Sequence, residues 1–150
     1  MFQFHPTIIL RHRKENLRKC SLRGLENRED LHFLTYPDDP LPELTGYVVL
    51  ALGAPPLTEQ DSSLGLFLVD ATWRYASKMM KHLPDHLEKR SIPPHFRTVY
   101  PRFQTCCSDP DRGLASVEAL YIAHSITGKN REGLLDNYYW KESFLQKNIL

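Results

Sequence analysis

The segment Leu66-Phe67-Leu68-Val69-Asp70-Ala71-Thr72-Trp73 sets one acid, one hydroxyl and one tryptophan directly behind a short apolar run. If that run is a buried strand of an open α/β sheet, the three side chains stand at its carboxyl end, the edge where such sheets bind ligands. A carboxylate placed there can accept or orient a proton, and an aromatic face suits a cationic group. The same residues would equally serve as a helix cap and a core aromatic. Cys20, Cys106 and Cys107 are too few for a disulfide framework and lack the paired C-x-x-C spacing of a zinc site, so reduced thiols and no structural metal are expected.

The elements that must position these residues follow from apolar runs. Thr7–Leu10, Leu31–Tyr36, Tyr47–Leu52 and Leu66–Val69 read as strands, and Thr98–Tyr100 as a weak fifth. Their continuous rather than alternating apolar character suits a mostly parallel sheet covered on both faces. Glu15 to Leu25 is long and charged enough for a helix or an ordered loop ending at Gly24. Thr58 with Asp61 three residues on predicts a capped short helix, and Thr72 a cap for a helix from Trp73 towards Leu83. Gly113 to Ile126 carries helical apolar spacing with Gly128 beyond it, and Leu134 to Leu145 marks a second helix or helix pair. The expectation is one α/β domain over 1–150, with an α/β part at 1–102 and a helical part at 103–150.

At 150 residues and a formal charge of +1 the chain is neither a globally basic nucleic-acid coat nor a disordered polyelectrolyte. Its charge is segregated nonetheless. Thirteen of the 19 basic residues lie in Arg11–Arg23 and Arg74–Arg102, which hold only three of the 18 acids. If the two stretches meet in space they form a phosphate-binding face, with Arg11, Arg13, Lys14, Lys78, Lys81, Arg97 and Arg102 as its candidates. The alternative is two solvated faces on unrelated sides. No apolar run is long enough to span a bilayer, and the start of the chain lacks a small-residue cleavage site, so a cytoplasmic protein with no membrane partner is expected. No exposed apolar heptad is visible, and a monomer is the default.

Five segments, in order along nearly the whole chain, carry a resemblance. Asp70-Ala71-Thr72-Trp73 resembles the D-x-[ST]-W signature of two related families of aminocarboxypropyltransferases, one acting on small-subunit ribosomal RNA and the DTW-domain one on tRNA. Lys19-Cys20-Ser21 resembles the K-C-[ST]-G of the ribosomal family, and Leu57–Asp61 its L-S-P-x-D. Leu114–Leu120 resembles its L-S-x-V-E-A-L, and Tyr139–Leu145 with Asn148 its closing F-x-W-G-x-x-F-x-x-x-N. The chain departs from the family at Leu22, where it has a glycine, and over 98–112.

The resemblance implies a SPOUT-type α/β fold with a trefoil knot in its C-terminal part. It implies S-adenosylmethionine as a substrate that gives up its 3-amino-3-carboxypropyl arm to a uridine or pseudouridine of ribosomal RNA. A tRNA uridine is the alternative target, and a noncatalytic RNA-binding ribosome assembly factor the second alternative. Carried over residue by residue, Asp70 is the acid that accepts the N3 proton or orients the base, and Trp73 lies against the sulfonium. Ser21 matches a hydroxyl that binds the methionine carboxylate, while Leu50, Phe96, Ala115 and Ala119 fall near backbone and adenine contacts. Glu118 is implied to hold the knot together rather than to do chemistry.

Overall fold

A computed structural model describes residues 5–17, 20–99 and 114–150. Five parallel strands form one sheet: β1 (Thr7–His12), β2 (Leu31–Tyr36), β3 (Tyr47–Leu50), β4 (Gly65–Asp70) and β5 (Glu88–Arg90), in the order β2-β1-β4-β3-β5. Three α-helices accompany them among the described residues: α1 (Trp73–Lys81), α2 (Ser116–Ile126) and α3 (Lys141–Asn148). Among the described residues no helix is long and apolar enough to cross a membrane.

The continuous apolar runs have a plain cause in the layering. Side chains alternate across a strand. Ile9 and Leu68 therefore enter one core with Leu22, Val117, Leu120, Ile122, Leu134 and Phe144, beneath α2 and α3. Ile8, Leu10, Val49 and Phe67 enter another on the opposite face with Met79 and Leu83 of the α1 region. With both faces covered, β1 is buried at all six positions. Tyr47 faces Gly65 across the β3–β4 ladder, and a Cβ on that glycine would come within 2.5 Å of the Tyr47 ring. The ring thus rests where only glycine leaves room, and its hydroxyl donates to the Pro6 carbonyl at 2.7 Å.

Several expectations need correction. The fifth strand is Glu88–Arg90, not Thr98–Tyr100. It pairs with β3 alone, and a short charged edge strand needs no apolar run to hold it. Thr98 and Val99 belong to a loop, and Tyr100 lies outside the described residues. The third strand stops at Leu50, leaving Leu52 86% exposed. Residues 20–25 take the ordered-loop alternative: turns that send Cys20, Leu22 and Leu25 into the core, with Gly24 at φ +91°. Thr72 sits at the N-cap of α1 without a capping hydrogen bond from its side chain, whereas Thr58 caps the 3-10 turn Glu59–Asp61 in the expected reciprocal way with Asp61. Thr127 closes α2 ahead of Gly128 at φ +69°. The segment after Leu134 supplies one α-helix, α3, preceded by turns.

Buried polar groups staple the layers together. Glu118 in the first turn of α2 accepts four hydrogen bonds: from Thr98 Oγ1 (2.6 Å), Val99 N (3.0 Å), Ala115 N (2.8 Å) and Tyr138 Oη (2.9 Å). Asn148 of α3 accepts from Arg97 N at 2.7 Å and donates to Arg97 O at 2.9 Å. The Glu and the Asn of the two C-terminal motifs thus hold one loop, 97–99, against both helices.

Candidate functional site

All five strands run parallel, so their carboxyl ends share one edge, and the strand order reverses between β1 and β4, the place where such sheets bind ligands. Arg11 of β1 and Asp70 of β4 are register partners at that edge. Asp70 Oδ2 accepts from Arg11 Nε at 3.2 Å and from the Cys20 thiol at 3.2 Å, while Oδ1 accepts from Ser116 Oγ at 2.8 Å. Arg11 also reaches Glu26 at 3.5 Å and Cys20 Sγ at 3.5 Å, and its guanidinium lies 4.7 Å from the Phe33 ring centre. The strand end, the 20–26 loop and the first residue of α2 are therefore tied by one ionic network.

Charge balance follows from these contacts. Burial works against the Arg11 charge, but Cys20, Asp70 and Glu26 outweigh it and raise its pKa. Burial and then the Asp70 charge push the Cys20 thiol up to about 12. Glu15 is raised for the same two reasons, with Arg11 pulling the other way. One oxygen each of Glu15 and Asp70 and the sulfur of Cys20 lie within 4.8 Å of one another, and Arg11 already supplies a positive charge to this group.

The remaining candidates gather around the amino end of α2. Ser21 Oγ accepts from Val117 N at 3.1 Å, which leaves its own hydroxyl hydrogen to donate elsewhere. Ala115 and Ala119 are one turn apart and joined by a 3.0 Å backbone bond. Leu50, at the end of β3, and Phe96 both pack on the apolar cluster that contains Val117. Trp73 opens α1 three residues after Asp70. Its side chain lies outside the described part of the structure.

Of the basic candidates, Arg13, Lys14, Lys78, Lys81 and Arg97 are exposed. The two basic stretches do meet. Burial first, then the charges of Lys14, Arg13 and Lys78, lower the pKa of His12, so the chain just after β1 stands beside α1. The His12 ring stacks on Tyr75 of α1 at 4.0 Å, and Lys14 Nζ lies 5.9 Å from that ring. Arg11 is a correction: its side chain is 10% exposed and committed to Asp70, so it belongs to the buried network and not to a phosphate-binding face. Arg102 lies outside the described residues. Sequence reasoning passed over Glu15, Cys20, Glu26 and Ser116 as parts of the site. A signal for Arg11 was present, since a residue that continues a fully buried central run is drawn into the interior with it.

No family model matches the chain, and no curated protein matches it. Among solved structures it is similar to the SAM-dependent rRNA:acp-transferase Tsr3 of Vulcanisaeta distributa, with a TM-score of 0.73 and 23% sequence identity. The likeness covers 98% of this chain and 80% of that one.

Proposed function

We propose that this protein transfers the 3-amino-3-carboxypropyl group of S-adenosylmethionine to a uridine or pseudouridine of small-subunit ribosomal RNA. The observation that carries this reading is the likeness of fold, over almost the whole chain, to a SAM-dependent rRNA:acp-transferase. The residues present suit the cofactor. Ser21 has a hydroxyl hydrogen for a carboxylate, Leu50 and Phe96 offer an apolar wall, and the small side chains of Ala115 and Ala119 leave room along α2. Trp73 would lie against the sulfonium.

When bound, S-adenosylmethionine supplies a sulfonium that activates every carbon attached to it, so the carbon held in line with the nucleophile is the one transferred. Asp70 carries three donors on two oxygens, an arrangement that favours an orienting function over proton abstraction. The strand order β2-β1-β4-β3-β5 and the clamping of 97–99 by α2 and α3 support a SPOUT-type arrangement with a C-terminal knot, in which 103–150 completes the cofactor site. Residues 103–113 of that part lie outside the described ones. A monomer working in the cytoplasm completes the reading, and Asp70-Ala71-Thr72-Trp73 supports kinship with DTW-domain enzymes.

The test uses S-adenosylmethionine labelled in its carboxyl carbon or in its methyl group, with ribosomal RNA and tRNA offered separately. Carboxyl label is expected in ribosomal RNA and methyl label in neither. Carboxyl label in tRNA alone would move the target to tRNA, and cofactor-independent RNA binding without transfer would favour an assembly factor.

The basic face carries its own expectation. Reversing charge at Arg13 and Lys14, or at Lys78 and Lys81, should weaken RNA binding and leave cofactor affinity alone. The slope of log affinity against log salt should fall by roughly one for each phosphate no longer neutralised. Equal slopes for wild type and both double variants would remove these residues from the RNA interface.

A further inference from the structure

Taking the proton from a uracil imide nitrogen requires a carboxylate with a free lone pair, placed beside the reacting base and of suitable basicity. Five titratable side chains gather on this face of the sheet edge: Arg11, Glu15, Cys20, Glu26 and Asp70. A carboxylate offers about four acceptor positions. Asp70 has three of them filled, by Arg11, Cys20 and Ser116. Cys20 is protonated at neutral pH and spends its hydrogen on Asp70. Glu26 is ion-paired with Arg11 at 3.5 Å. His12 points to the opposite face, stacked on Tyr75, and its Nδ1 accepts the Lys14 backbone N–H at 3.0 Å.

Glu15 remains. It is half-buried, and its carboxylate reaches the Cys20–Asp70 group. No donor among the described residues hydrogen-bonds that carboxylate, although Glu15 N is anchored to His12 O at 2.9 Å. Resting on the reading of the protein as a transferase, we propose that Glu15 is the general base that removes the N3 proton of the target uracil, while Asp70 positions the surrounding network. In the step, the N3–H bond breaks and its proton goes to a Glu15 oxygen. The freed nitrogen pair forms the bond to the side-chain methylene of S-adenosylmethionine, and the carbon–sulfur electrons return to sulfur, leaving neutral 5′-methylthioadenosine. Charge balances, since the sulfonium loses its charge and the carboxylate becomes neutral.

The electrostatics agree with this division of labour. Two carboxylates in one site, one crowded with donors and the other bare, are the arrangement that separates an anchor from a base. The upward shift of Glu15 brings it closer to neutrality and so makes it a stronger base than an exposed glutamate. Burial is the largest cause of that shift; of the charged groups, Asp70 from β4 adds to it and Arg11 from β1 opposes it.

The experiment is single-turnover transfer of carboxyl-labelled arm to ribosomal RNA by the intact protein, measured across the acidic range alongside cofactor affinity. In wild type the rate should rise with pH as Glu15 loses its proton and then level off. Glu15→Gln, which keeps shape and volume, should lower the plateau rate by about 100-fold or more and abolish the acidic limb, with S-adenosylmethionine affinity within about twofold of wild type. Glu15→Asp should recover part of the rate together with a pH-dependent limb. A Glu15→Gln protein that transfers within about threefold of wild type with its acidic limb intact overturns the proposal, and so does one whose defect lies in cofactor binding. Wild-type protein that binds S-adenosylmethionine and transfers nothing to any RNA overturns the transferase reading itself, an outcome visible before any variant is made.

Discussion

Arg11→Ala is expected to destabilise the fold by about 3–5 kcal/mol, the cost of leaving a buried charge without its partner. The Arg11 and Asp70 side chains are 10% and 5% exposed and meet at 3.2 Å, so water cannot take over the vacated positions. Cys20 and Ser116 would still donate to Asp70, but neither supplies a positive charge. Glu26→Ala gives the contrast. Glu26 is 39% exposed and 3.5 Å from Arg11, so its removal should cost about 0–1 kcal/mol. Arg11→Lys should fall between them, because a single ammonium cannot reach Asp70, Cys20 and Glu26 at once in the geometry of a planar guanidinium. Urea unfolding of the three variants checks the order. An Arg11→Ala loss below about 1 kcal/mol would mean that Asp70 gains its stability elsewhere.

The sheet was legible wherever burial alone dictates sequence. β1 and β4 are covered on both faces, so their apolar runs had no exposed position to fill with a polar residue. Those runs marked the strand centres, Thr7–Leu10 and Leu66–Val69, while β1 continues through Arg11 to His12 and β4 runs from Gly65 to Asp70. β5 was not legible for the opposite reason. Glu88-Lys89-Arg90 gains its strand conformation from pairing with β3, a nonlocal contact that leaves no apolar trace in its own residues. The β-branched Thr98-Val99 pair misled because a loop that packs on the core holds such residues as readily as a strand does. What decides between the two is the Glu118 carboxylate, twenty residues distant from Thr98.

The candidate site divides along the same line. Asp70, Ser21, Ala115 and Ala119 stand out in their own segments, and the fold ties Asp70 and Ser21 to the amino end of α2 through Ser116 and Val117. Glu15 does not stand out in the sequence as a member of the site, and Arg11 reads there as part of a phosphate-binding face, since a basic stretch containing one acid reads as an exposed one. Only the parallel pairing of β1 with β4 turns Arg11 inward beside Asp70 and brings Glu15 within reach of the same group. The neighbouring Arg13 and Lys14 stay outside and meet Lys78 near His12. One basic run thus contributes to two different environments, which alternation along a strand end allows and composition cannot reveal.

Glu118→Ala should cost about 3–5 kcal/mol and weaken cofactor binding even in the fraction that remains folded. The carboxylate is fully buried and accepts from two backbone amides, Val99 N and Ala115 N, and from the hydroxyls of Thr98 and Tyr138. Each buried donor left without an acceptor costs about 1–3 kcal/mol, and the four together cost less than their sum because the hydroxyls can turn and the 97–99 loop can move towards water. That movement is the functional consequence. The loop continues from Phe96, a proposed wall of the cofactor site, and Asn148 and Lys147 of α3 would still hold it, through Arg97 and Thr98. Glu118→Gln keeps the volume but turns an amide NH2 towards donors, so it should recover less than half of the loss. Unfolding in urea measures the first effect, and amide exchange at Val99 and Ala115 measures the second. Unchanged exchange at Val99 in a folded Glu118→Ala protein would show that α3 alone fixes the loop, and would take Glu118 out of the support of the site.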